Sequence, residues 1–64
     1  MPMPAVLPKE DCVGTCTKEQ ADAIYNSYAA MYANCLDDTC RAQVQVAYRA
    51  ELHAVCGCQF PNNG

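Results

Sequence analysis

The stretch Cys35-Leu-Asp-Asp-Thr-Cys40 constrains this chain more than any other, because one helical pattern stops there and a second begins. The other four cysteines lie outside it, Cys12 and Cys16 before the first pattern and Cys56 and Cys58 after the second. Folding the chain back at Asp37-Asp38 lays the outer pairs side by side. The expected fold class is all-α: an antiparallel two-helix hairpin stapled by three disulfides.

Staples are needed at this size. A chain of 64 residues is one small domain, and such a domain hides only ~60% of the surface its unfolded form exposes. Six cysteines, an even number, read as a disulfide framework and imply an oxidising compartment, with secretion to the extracellular space the expectation. There is no h-region of a signal peptide, which for a secreted chain implies the mature form.

The first helix is expected over about 18–35. Thr17-Lys-Glu-Gln20 has the capping-box spacing, in which Thr17 accepts from the backbone of Gln20 and Gln20 reaches back. Ala21, Ile24, Tyr25, Tyr28, Met31, Tyr32 and Cys35 then recur at three- and four-residue steps and share one face. The second helix is expected over about 39–56, capped by Asp37 or Asp38, whose carboxylates suit the positive end of the dipole. Cys40, Val44, Ala47, Tyr48, Leu52 and Val55 form its stripe, and Gly57 is the natural stop.

Facing residues of an antiparallel hairpin have position numbers with a nearly constant sum. Cys35 with Cys40, Met31 with Val44 and Tyr28 with Ala47 obey this, and Ile24 with Leu52 and Ala21 with Val55 follow closely. The same rule favours Cys16–Cys56 and Cys12–Cys58; Cys12–Cys56 with Cys16–Cys58 fits less evenly and stays open. Closing the long Cys12–Cys58 loop is worth roughly 4 kcal/mol in the chain-entropy model, and the short Cys35–Cys40 loop about 2. Residues 12–58 form the stapled hairpin. Residues 1–11 are expected to be an extended, Pro-rich arm outside the core, with Met3, Val6 and Leu7 able to cover an edge, and residues 59–64 a flexible tail.

Charge narrows the partners. Four basic residues against seven acidic ones, with no basic cluster, argue against nucleic acid. No apolar run nears the ~20 residues of a membrane span. The expected partner is a protein or receptor target, with a second copy of the chain as an alternative, and no cofactor or metal is expected.

Four features could carry chemistry. Cys12, Cys16, Cys56 and Cys58 with His53 offer soft sulfur and imidazole ligands for a metal-binding or thiol-redox protein, but their spacings are not those of a zinc knuckle. One histidine without an orienting partner does not make a cysteine nucleophile, so no catalytic residue is assigned and the chain is read as not an enzyme. Glu51 interrupts the apolar stripe and must reach solvent or find donors such as Tyr25 or Tyr28. Tyr25, Tyr28 and Tyr32, with Tyr48, exceed what a two-helix layer can bury, so one flank is expected to stay open for a partner. With Val46, Arg49 and His53 on the outside of the second helix, Tyr25, Tyr28 and Tyr32 are the candidate partner-binding residues. The Cys12-Val-Gly-Thr-Cys16 loop is the segment a small protease inhibitor would present.

The nested cysteine pairing is similar to that of molluscan water-borne attractin pheromones, and ciliate pheromones are likewise short, acidic, helical and disulfide-rich. Plant hairpinins and small mitochondrial import chaperones flank a hairpin with paired C-x3-C motifs, a spacing kept here only by Cys12 and Cys16. In size, charge, cysteine number and inferred helix-loop-helix over 12–58, the chain resembles the secreted cysteine-rich phytotoxins of oomycetes, the PcF type. That resemblance implies an extracellular effector, toxin or elicitor, or a peptide signal, acting on another cell. It transfers no functional residue.

Overall fold

Residues 5–60 are described by the computed structural model. Two helices, α1 (Lys18–Ala33) and α2 (Asp38–Cys56), pack as an all-α antiparallel hairpin. Thr17 caps α1 through both halves of the capping box: Gln20 N–H donates to Thr17 Oγ1 at 3.0 Å and Thr17 N–H to Gln20 Oε1 at 2.8 Å. α1 ends two residues earlier than its apolar pattern. Asn34 Nδ2 donates to the Ala30 carbonyl, and Cys35 N–H bonds three residues back to Tyr32. These bonds satisfy the last carbonyls and turn Cys35 towards Cys40. Asp37, in extended conformation, opens α2 by accepting from Cys40 N–H at 2.8 Å. Gly57 closes it with φ 74°, its N–H bonded to the His53 carbonyl.

Three disulfides join Cys12–Cys58, Cys16–Cys56 and Cys35–Cys40, with Cα atoms 6.0, 5.0 and 5.5 Å apart. The nested connectivity is the one the facing rule favours. The Cys12–Cys16 loop bends on Gly14, whose φ is 58°. Thr15 N–H and Oγ1 both donate to the Cys56 carbonyl, at 2.8 and 3.2 Å. A Cβ on Gly14 would overlap that same oxygen, so the backbones touch where only glycine permits it.

The core departs from the sequence reading in two linked ways. Leu7 belongs to it: at 1% exposure it packs with Tyr48, Leu52, Cys56 and Cys58. The arm therefore does not lie outside the core. Pro8 biases Leu7 towards extended backbone, and the Leu7 carbonyl accepts from Tyr25 Oη at 2.6 Å. Burying such a side chain is worth about 1.5–3 kcal/mol. Of the other residues expected on that edge, Val6 is exposed, and Met3 lies outside the described residues.

The second departure follows from the first. Both helices are rolled towards the arm, α2 by roughly a quarter turn at 3.6 residues per turn. Tyr48, Leu52 and Cys56 form the buried row of α2, while Ala47 and Val55 face out. On α1, Ala29 packs against the core and Met31 is 48% exposed. A wide apolar stripe has more than one way to face inward, and Leu7 packs on the face that is buried here.

Candidate functional site

Each candidate partner-binding residue can now be placed. Tyr25 is engaged internally: its hydroxyl holds Leu7, its ring meets Tyr48 edge-on at 5.7 Å, and the Lys9 ammonium lies 5.5 Å from its centroid. Tyr28 packs tilted on Tyr48 at 6.0 Å and donates to Glu51 Oε1 at 3.5 Å. Burial first, and the Glu51 carboxylate second, push the Tyr28 phenol above its usual range. Burial likewise raises Tyr48. Tyr32 is half-buried against the core.

Arg49 does not project freely from the outside of α2. Its Nε donates to Glu10 Oε2 at 3.0 Å and its guanidinium lies 5.8 Å from the Phe60 centroid, so it fastens the arm and the tail. His53 is exposed, and its Nδ1 lies 2.7 Å from the Cys58 carbonyl. Since a carbonyl only accepts, that geometry places the imidazole proton on Nδ1. Val46 is 67% exposed on a shallow apolar patch with Ala42, Gln43 and Ala47. The six candidates thus divide. The tyrosines build the interior and one groove, Arg49 anchors the arm, and Val46 and His53 face solvent.

The arm closes one side of the hairpin with further polar contacts. Lys9 Nζ meets Asp22 Oδ1 at 2.7 Å, and that bond raises the lysine pKa and lowers the aspartate's. Glu10 N–H donates to Tyr48 Oη at 3.2 Å. The opposite side stays open as a groove lined by Ala23, Ile24, Ser27, Tyr28, Met31 and Glu51. Glu51 resolves its place in the apolar stripe by sitting half-exposed on that groove beside the Tyr28 hydroxyl.

Chemically, the arrangement offers surfaces. All six sulfurs are in disulfides, and a disulfide sulfur is not a thiolate ligand or nucleophile. Among the described residues no group of three or more His, Cys, Asp and Glu is gathered as for a metal ion. No helix of the described residues is long and apolar enough to cross a membrane.

One exposed residue was not singled out by sequence reasoning. Leu36, at the turn between the helices, is 96% exposed. A signal for it exists. A hydrophobe just before an N-cap commonly staples onto the fourth helical residue, and here that residue is Arg41. Comparison with family models, with curated protein sequences and with solved structures finds no match to this chain.

Proposed function

We propose that the protein is a secreted, non-enzymatic ligand, an effector, toxin, elicitor or peptide signal, that binds a protein or receptor on another cell. The observation that carries this reading is the division of labour in so small a chain. Three disulfides hold a two-helix frame together, which leaves large apolar side chains free to face outward: Leu36, Val46, Val55 and Met31 are 96, 67, 54 and 48% exposed. The resemblance to the PcF-type phytotoxins in size, charge and cysteine number supports the same reading. Disulfides suit a molecule that must keep its shape in oxidising, dilute surroundings.

The test is binding of the fluorescently labelled, oxidised chain to a panel of intact plant, animal and fungal cells. The expected result is saturable binding to at least one cell type, displaced by unlabelled oxidised chain and not by chain that has been reduced and alkylated. Displacement by the reduced, alkylated chain at equal concentration, or linear uptake on every cell type, overturns the reading.

A further inference from the structure

We propose that Leu36 anchors an interaction surface at the Cys35–Cys40 tip, and that its partner is a protein with an apolar pocket rimmed by cationic side chains. The proposal rests on the reading of the chain as a ligand of another protein.

Leu36 has no structural task. Its side chain is 96% exposed, and the one local partner it would ordinarily have, the fourth residue of α2, is Arg41. The Arg41 guanidinium turns away to Asp38, at 2.6 Å. Yet the backbone carrying Leu36 is held on both sides. Before it, Asn34 and Cys35 N–H bond to the Met31 and Tyr32 carbonyls at 3.1 Å. After it, Asp37 Oδ1 accepts from Cys40 N–H and the Asp37 carbonyl from Arg41 N–H. The Cys35–Cys40 disulfide closes this loop across five positions. A fully exposed leucine on an immobilised support loses little conformational freedom on docking, which favours binding.

Charge identifies the partner. Asp37 and Asp38 follow Leu36 directly; the 99% exposed Asp38 carboxylate is offset by Arg41 at 2.6 Å, so the charge that faces a partner beside Leu36 is chiefly that of Asp37. A pocket with a cationic rim complements this tip, whereas an anionic bilayer repels it. A second copy is disfavoured by the same sign rule. The open groove between the helices carries Glu51 on its wall, and the chain as a whole has net charge −3.

The experiment displaces the labelled, oxidised wild-type chain from the cells that bind it, using unlabelled Leu36→Ser, Leu36→Met, Asp38→Asn and Asn26→Ser chains. Circular dichroism melting and intact mass accompany each. Leu36→Ser is expected to need about tenfold more competitor or beyond, as loss of one buried leucine implies, with melting temperature and disulfides unchanged. Leu36→Met should compete nearly as wild type, Asp38→Asn a few-fold worse, and Asn26→Ser, at an exposed position of α1, unchanged. Equal competition by Leu36→Ser and wild type overturns the proposal and leaves the ligand reading standing. Absence of saturable binding by wild type removes the ligand reading, and the proposal with it. Leu36-dependent binding to phosphatidylcholine vesicles, or a Leu36-dependent dimer in sedimentation, overturns the assignment of a protein partner by naming lipid or a second copy instead.

Discussion

The two ends of the hairpin are built on opposite principles. At the base, segments remote in sequence converge: disulfides span 46 and 40 positions, Cys56 and Cys58 are 0 and 1% exposed, and the Gly14 backbone lies against the Cys56 carbonyl. At the tip everything is local. One disulfide spans five positions, the caps bond to their own helices, and Leu36 touches almost nothing. The base therefore carries the tertiary stability of the molecule and tolerates little change. The tip holds its backbone shape through Asn34, Asp37 and the disulfide without using Leu36, which leaves that side chain free to vary or to bind.

The largest expected effect is at the base. Gly14→Ala forces a Cβ into the Cys56 carbonyl at a positive φ, and should cost about 3 kcal/mol or more in urea unfolding of the oxidised protein. Gly57→Ala sharpens the point. Its φ is also positive but nothing lies within 4 Å of the added Cβ, so only the conformational cost, about 1–2 kcal/mol, should appear. Equal losses at the two glycines would mean that the close approach at Gly14 contributes nothing.

Leu7→Ala tests whether the arm is part of the core, with an expected loss of about 3 kcal/mol on the same measurement. An arm outside the core predicts almost none. At the tip, replacing Cys35 and Cys40 together by serine should lower stability by about 2 kcal/mol through loop entropy alone, leaving the base disulfides intact by peptide mapping. Removing a cap is smaller still: Thr17→Ala and Asp37→Ala should each cost about 1 kcal/mol in thermal melts.

The pH dependence separates the closed side from the open groove most gently. The Lys9 bond lowers the Asp22 pKa below its ordinary value near 3.8. Its contribution is therefore present above that value and lost as pH falls through the folded one. The melting-temperature difference between wild type and Asp22→Asn should shrink progressively as pH falls below 3.8. Tyr28 and Tyr48 are shifted the other way, above an ordinary value near 10. Their contribution is complete below pH 10 and is lost as pH rises through the folded values. Absorbance at 295 nm should show a late tyrosinate phase, with part of its amplitude absent in Tyr28→Phe and part in Tyr48→Phe. A single transition near the ordinary value in the native protein would contradict the burial of both rings.

Much of the frame was legible in the residues. Thr17 and Gln20 announce their capping box, Asp37 and Gly57 mark the ends of α2, and the spacing of six cysteines favours the connectivity the structure shows. The site was legible only in part. Tyr28 does line a groove and Val46 does face solvent, but Arg49 is taken by Glu10 and Tyr25 by Leu7, contacts across 39 and 18 positions that no helical period reports. Leu36 was not singled out, although Arg41 at the fourth position of α2 signals in the sequence that it lacks its usual local partner; the fold adds that it is 96% exposed.

The sequence by itself determined that two capped helices form a cysteine-stapled hairpin, and it favoured the nested pairing over the alternative. Those features depend on neighbours within one turn or on a single fold-back of the chain. Only the tertiary structure decided which face of each helix is interior. Periodicity defines an apolar stripe relative to its own helix axis, but the roll of that stripe depends on what else must be buried. Leu7 arrives from outside the hairpin and packs on Tyr48, Leu52, Cys56 and Cys58, while Met31, Ala47 and Val55 face out.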